Sequence, residues 1–177
     1  MNFKEFNAKK IAVLALLTGL SLIAFLIESL FPPMIIPGAK PGFANIFSLA
    51  ALIIFSPAEA FIVVAARTLL GALFAGNFSA IMYSFTGGIV AMTVSSLLLY
   101  VAHPKISVMA VSVAAAVSHN ITQNLVFAFL NGSLLYLAEL PYLTLLGVIA
   151  GAIVGCATML IFKGVPESAF EKLLYKN

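Results

Sequence analysis

Six apolar runs, five of them long, follow one another along the chain, separated by short connections that contain proline, glycine or polar residues. Runs of this length and hydropathy are typical of helices that cross a lipid bilayer. The tail after the sixth run has charged residues on one side and apolar residues nearby, which predicts a short amphipathic surface helix. We predict spans at about 11–31, 43–55, 58–75, 79–101, 106–130 and 140–162, the second of them short, and a surface helix at about 165–175.

Composition places the chain among small polytopic membrane proteins. Only 8% of its 177 residues are charged, 63% are hydrophobic, and the mean hydropathy is +1.15. A soluble domain cannot hide so much apolar surface inside one core. We therefore predict an all-α protein in which residues 1–177 form one integral membrane domain with six transmembrane helices.

The lysines predict the orientation of the bundle. An even number of spans puts both termini on one side of the membrane, and the positive-inside rule makes the lysine-rich side cytoplasmic. We therefore expect both termini to lie in the cytoplasm. The other side carries only Lys40, and the cytoplasmic side carries Lys4, Lys9, Lys10, Lys105, Lys163, Lys172 and Lys176.

Several kinds of chemistry lack their usual residues. The chain has no aspartate, no P-loop and no zinc-type spacing of cysteine and histidine, and its single Cys156 lies in an apolar run. We expect no metal, no cofactor, no catalytic residues and no enzymatic activity of its own. The formal charge of +3 is spread over ends and loops, so we expect no nucleic-acid partner.

Arg67 is the only arginine, and it lies about eight residues from either end of its span. A cation at that depth costs about 2.5 to 3.5 kcal/mol on insertion scales. Snorkelling to the interface is difficult from mid-span. Arg67 is therefore expected either to line a cavity and contact a ligand, or to form an internal ion pair that only holds helices together.

Other polar residues inside the spans lie at similar depths in the predicted outer half. A stripe on span five joins His119 and Asn120 to Gln123 at helical spacing. These residues predict an outward-facing cavity for a small polar or anionic ligand, although interhelical hydrogen bonding explains the same stripe. The predicted ligand-binding set is Lys40, Asn45, Arg67, Tyr83, Thr86, His119, Asn120 and Gln123, with Glu28 as a possible ion-pair partner.

The first loop, residues 32–42, is apolar for an external connection and rich in proline and glycine around Lys40. These residues stop a helix and permit tight turns. The loop is either a lid over the outer mouth of the bundle or a plain re-entrant loop at the interface.

Two tracks of small residues predict close helix packing. Span six carries consecutive GxxxG steps, and span one carries a similar track. Packing within the bundle explains both tracks, and the track on span one is also a candidate docking face for a partner protein. The residues are Gly147, Gly151 and Gly155 on span six, and Ala8, Ala12, Ala15 and Gly19 on span one.

Four segments resemble the bacterial Gx transporter family, which is also labelled heptaprenyl diphosphate synthase component I. They occur in the expected order and cover nearly all the spans, with Pro41 as a departure where an aliphatic residue is expected. The segments are 38–45 (GAKPGFAN), 67–71 (RTLLG), 84–88 (SFTGG) and 116–123 (AVSHNITQ).

This family is similar to the substrate-binding S components of energy-coupling factor (ECF) transporters. That resemblance implies a six-helix bundle, a pocket under the first loop, and a first helix that contacts a transmembrane coupling subunit joined to two cytoplasmic ATPases. The first hypothesis is thus a module that binds and translocates a small polar or vitamin-like ligand. The alternative is an accessory membrane subunit for polyprenyl diphosphate or quinone metabolism or electron transfer, working beside a separate catalytic subunit.

Overall fold

The computed structural model describes residues 8–30, 42–76, 79–102 and 105–163. These residues form six α-helices and one short 3₁₀ helix, with no strand among them, so the predicted all-α class is confirmed. The helices are α1 (Ala8–Leu30), α2 (Ala44–Ile54), α3 (Pro57–Ala75), α4 (Ser79–Ala102), α5 (Val108–Leu130) and α6 (Leu140–Phe162), and the 3₁₀ helix (Leu134–Glu139) precedes α6.

The helix bounds agree with the predicted spans to within about three residues, but α2 differs in kind from the others. Five helices are long and apolar enough to cross a membrane, whereas α2 has only 11 residues. The 3₁₀ helix was not predicted. The loop at 32–41 and the tail at 165–175 lie outside the described residues, so the predicted lid and surface helix stay predictions.

The helices run alternately up and down and define two ends of the bundle. We call these the Lys10 end, where α1 begins, and the Glu28 end, where α1 finishes. Helices α1, α2 and α3 pack on one another, α4 joins α3 to α5, and α6 packs mainly on α5. Short α2 also contacts α4 and α6, so it occupies the middle of the bundle.

The dry core lies toward the Lys10 end. Side chains of α1 through α5 meet there with little or no exposed surface, and aromatic and aliphatic residues close to that end pack around them. The cluster therefore leaves the Glu28 half of the bundle to polar residues. It comprises Leu14, Leu17, Leu49, Ala50, Ala51, Leu52, Ile53, Ala60, Val63, Val64, Met92, Leu99 and Val111.

The two tracks of small residues have different roles. A Cβ atom added at Gly151 would lie 2.5 Å from the Cα atom of Val113, and one at Gly155 would lie 2.8 Å from the Cα atom of Met109. The glycines of α6 thus allow α5 and α6 to pack backbone to backbone. On α1, in contrast, Ala8, Ala12 and Ala15 are exposed, and Gly19 has open space beside it.

Candidate functional site

A cavity of about 50 Å³ extends through the bundle from the Glu28 end toward the Lys10 end. A water needs roughly 10 to 15 Å³ of such space, so the cavity has room for a short row of waters or a slender polar molecule. All six helices contribute to its wall. The lining residues are Phe25, Glu28, Gly42, Asn45, Leu49, Arg67, Ser84, Ala91, Met92, Ser95, Ser112, Ala115, Ala116, His119, Asn120, Gln123, Ala150 and Val154.

Arg67 crosses from α3 into this cavity and is only 4% exposed. Its Nη1 atom donates a hydrogen bond to the side-chain oxygen of Asn45 on α2, at 3.1 Å. Its Nε atom is buried without a hydrogen-bond partner among the described residues. A buried donor left unsatisfied in this way costs about 1 to 3 kcal/mol. The guanidinium therefore retains the capacity to bind another acceptor.

Glu28 and the start of α2 form the wall opposite Arg67. The Glu28 carboxylate accepts a hydrogen bond from the backbone N–H of Phe43 and attracts the Arg67 guanidinium electrostatically. Gly42 turns the chain into α2 with a φ of 78°, a conformation that favours glycine, and its carbonyl accepts the N–H of Asn45 at 2.9 Å. This turn fixes Asn45 beside Arg67, and it places the predicted ion-pair partner Glu28 within the same cavity.

His119 reaches the cavity from α5 and lies against a glycine of α4. A Cβ atom at Gly87 would lie 3.1 Å from the Cε1 atom of the imidazole, so glycine allows the ring to pack closely on α4. The Nδ1 atom of His119 is buried without a hydrogen-bond partner in the described part of the chain. His119 and Arg67 are close enough to interact electrostatically. Arg67 and His119 thus line the same cavity from two different helices.

The amide side chains of the α5 stripe have two roles, namely hydrogen bonding to neighbouring segments and lining the cavity. The side-chain nitrogen of Asn120 donates to the carbonyl of Leu143 at 2.9 Å, which ties α5 to α6, although Asn120 also lines the cavity. Asn124, one turn further along, donates to the carbonyl of Tyr136 at 3.1 Å. Gln123 lines the cavity. Interhelical hydrogen bonding therefore accounts for part of the predicted stripe.

The sequence matches the family described as heptaprenyl diphosphate synthase component I over residues 17–161. The chain belongs to this family. The match confirms the resemblance drawn from the four segments, and it supports a membrane protein together with the five long apolar helices. No protein of curated function matches the sequence. The range shared with component I includes every cavity-lining residue, whereas Lys10 and the beginning of the α1 track precede it.

Two of the predicted ligand-binding residues, Tyr83 and Thr86, do not line the cavity, and a third lies outside the described residues. The ring of Tyr83 packs edge-on against Phe127 at a centroid distance of 5.8 Å. The hydroxyl of Thr86 donates to the carbonyl of Met82 on its own helix at 2.6 Å. Lys40 lies outside the described residues. The cavity therefore brings together Glu28, Asn45, Arg67, His119, Asn120 and Gln123.

Sequence reasoning missed Ser95 and Ser112, two of the three serines that line the cavity. Ser84 and Ser95 on α4 and Ser112 on α5 all line it, and the Oγ atom of Ser95 is buried with no hydrogen-bond partner in the described segments. Serine is common in apolar helices and usually bonds its own helix backbone, so its presence alone gives little signal. The sequence did contain one signal, since Ser84 and Ser95 are three helical turns apart and therefore lie on the same face of α4.

A second buried charge at the Lys10 end was also missed. The Nζ atom of Lys10 lies 2.5 Å from a carboxylate oxygen of Glu59, and both side chains are buried. The hydroxyl of Ser56 donates to the same carboxylate. The Lys10 ammonium also lies over the ring of Phe55, 5.8 Å from its centroid. This cluster joins the start of α1 to the start of α3.

Proposed function

We propose that this chain is a membrane-embedded binding component that holds a small ligand by an anionic group and, with a partner, passes it across the bacterial cytoplasmic membrane. The observation that carries the proposal is the buried Arg67 guanidinium, whose Nε atom has no hydrogen-bond partner among the described residues and which lines a cavity. A carboxylate or phosphate group accepts hydrogen bonds of the geometry that arginine offers.

The surroundings of Arg67 support an anion that is held but can be released. The nearby Glu28 carboxylate offsets part of the positive charge, and His119 adds a second polar side chain to the cavity wall. Because the cavity measures only about 50 Å³, it suits a slender ligand that carries an anionic group and not a bulky ring system. The proposal gives the chain no catalytic step of its own.

The exposed small-residue track on α1 is the proposed contact with a transmembrane coupling subunit and its ATPases. Ala8, Ala12 and Ala15 leave a shallow surface against which another helix packs closely. Both termini are proposed to be cytoplasmic, because Lys105 and Lys163 lie at the same end of the bundle as the start of α1. The coupling subunit would then meet α1 near the cytoplasmic side.

The family description favours a second candidate, an accessory membrane subunit beside a heptaprenyl diphosphate synthase. A diphosphate head group has the same anionic chemistry as the proposed ligand. The two candidates differ in what the anion is attached to, namely a water-soluble molecule in the first and a prenyl chain in the second.

The test is to purify the full chain from its native membranes in mild detergent and to identify bound small molecules by mass spectrometry. The wild type is compared with the variant Glu28→Gln/Arg67→Met, which removes both charges and so leaves no unpaired carboxylate. We expect a stoichiometric anionic molecule in the wild type and its loss in the variant. A water-soluble molecule supports the transport component, and a prenyl diphosphate supports the accessory subunit. Equal recovery from both proteins would contradict the proposed site.

The partner contact needs a separate measurement on the same preparation. Ala12→Leu and Ala15→Leu add bulk to the track, while Leu20→Phe adds bulk to another exposed position of α1. We expect the first two variants to lose co-purifying membrane and ATPase subunits while keeping the bound small molecule. Retention of those subunits in both alanine variants, or equal loss in the Leu20 variant, would contradict the docking face.

A further inference from the structure

The cavity continues past Arg67 toward the Lys10 end and finishes at hydroxyl groups. Gly88 lies beside Arg67, since a Cβ atom there would be 3.7 Å from the Nη2 atom. Ser95 follows Gly88 by seven residues on α4, and Ser112 precedes His119 by seven residues on antiparallel α5. Seven residues of helix rise about 10 Å. The two serines therefore lie roughly that far from the Arg67 level and on the same cavity wall.

Ser95 does not use its hydroxyl as Ser96 and Ser118 do; the Ser48 hydroxyl also has no partner among the described residues, but of these two only Ser95 lines the cavity. Ser96 donates to the carbonyl of Met92 at 2.7 Å, and Ser118 donates to that of Ala114 at 2.8 Å. Ser95 is fully buried, lines the cavity, and has an Oγ atom with no partner among the described residues. Buried polar atoms nearly always bind something. Ser112, also buried, lines the cavity at the same level.

The wall between the two polar levels is apolar. Small and apolar side chains of α4, α5 and α6 cover it, so a ligand finds no hydrogen bonds there. A volume of about 50 Å³ that stretches over two helical turns is narrow, and it accommodates an unbranched chain better than a ring. The residues of this middle part are Ala91, Met92, Ala115, Ala116, Ala150 and Val154.

From this arrangement we propose that Ser95 and Ser112 form a second subsite, which binds an uncharged hydrogen-bonding group at the far end of the ligand. The ligand is then an unbranched molecule with an anionic group at Arg67 and a hydroxyl or carbonyl group about 10 Å further in. This inference rests on the proposed function, because it uses Arg67 as the anion site.

Short carboxylic acids that carry a terminal hydroxyl group, together with plain acids of equal chain length, are the probes that test the subsite. Binding of both series to the full chain in lipid nanodiscs is measured by calorimetry, with empty nanodiscs as the blank. At the matching chain length we expect the hydroxy acid to bind about fivefold more tightly, the effect of one hydrogen bond. Ser95→Ala is expected to abolish that preference and to leave the affinity for the plain acid unchanged.

The control is Ser96→Ala, because the Ser96 hydroxyl already bonds its own helix and lies next to the position under test. This control is expected to keep the preference. Equal binding of the two acids at every length, or a preference that survives in Ser95→Ala, would mean that only water occupies the subsite and would overturn the inference. Failure of both acids to bind, or unchanged binding of both to Glu28→Gln/Arg67→Met, would instead overturn the Arg67 site itself.

Discussion

Lys10 and Arg67 are both buried in the bundle, but their environments differ. Lys10 is 5% exposed and lies directly against the carboxylate of Glu59, which also receives the hydroxyl of Ser56. Both charges are therefore compensated at contact distance. The desolvation of such a pair offsets much of its attraction, so its main effect is to disfavour any arrangement that separates the partners.

Arg67, at 4% exposure, has a looser environment. Its hydrogen bond to Asn45 involves a neutral amide, and the carboxylate of Glu28 is engaged with the backbone of Phe43. Compensation is thus partial, and a cavity lies beside the unsatisfied nitrogen. The Lys10–Glu59 pair therefore fixes the packing of α1 on α3, whereas the Arg67 guanidinium is available to a ligand.

The largest expected effect is a loss of stability when the Lys10–Glu59 ion pair is broken. Lys10→Met leaves the Glu59 carboxylate buried without its cation, and we expect a loss of about 3 to 5 kcal/mol of stability. Thermal unfolding in detergent measures it. The double variant Lys10→Met/Glu59→Gln should recover most of the loss because neither charge remains. An equally unstable double variant would show that shape, and not charge, governs this cluster.

The next largest effect is expected on ligand binding when Arg67 is replaced. Arg67→Met should weaken ligand binding by about 1.5 to 3 kcal/mol, the range for hydrogen bonds to a charged group, or roughly tenfold to a hundredfold. Its unfolding temperature should fall less than that of Lys10→Met, since Glu28 keeps the N–H of Phe43. Calorimetric titration with the co-purified molecule checks the binding. Unchanged affinity in a folded variant would remove Arg67 from the site.

A smaller effect is expected from crowding the imidazole. In Gly87→Ala the new methyl group meets His119 at about 3.1 to 3.2 Å, and the overpacking should shift the imidazole and weaken binding by less than Arg67→Met does. The Lys10–Glu59 pair is far away and should not respond. Gly19→Ala is the matched control, because its methyl group meets nothing within 4 Å. Equal affinities of the two variants would show that the position of His119 does not affect binding.

The smallest effect should come from Asn45→Ala. The variant removes the hydrogen bond to Arg67, but water in the cavity can replace a neutral amide, so we expect a loss of about 0.5 to 1 kcal/mol in binding. The same titration measures it. A loss as large as that of Arg67→Met would mean that Asn45 contacts the ligand itself.

The sequence predicted the helices well, because bilayer-spanning runs are read from hydropathy and length alone. Counting residues along the spans also grouped Glu28, Asn45, Arg67 and His119 at similar predicted depths. Depth follows from counting residues, and all four line one cavity. The rotation of each helix about its axis does not follow from counting. For that reason Tyr83, at a suitable depth on α4, packs instead on Phe127.

Contacts between residues far apart in the sequence were also not predicted. Lys10 was counted among the lysines of the cytoplasmic side, and nothing in its neighbourhood indicates Glu59, which lies 49 residues later. The 3₁₀ helix at Leu134–Glu139 was missed because its residues are apolar but too few for a span. Both features depend on tertiary packing, which overrides local pattern.

The shortness of α2 has a consequence for biogenesis. Eleven residues rise about 16 Å, roughly half of a 30 Å hydrocarbon layer, so this helix cannot partition into lipid by itself. Its partners are already specified, because the hydroxyl of Ser21 on α1 donates to the carbonyl of Ala44 at 2.8 Å. The following helix carries Glu59 and Arg67, which lipid also disfavours. We expect α2 and α3 to leave the insertion machinery together as a hairpin, after α1 is in place to receive them.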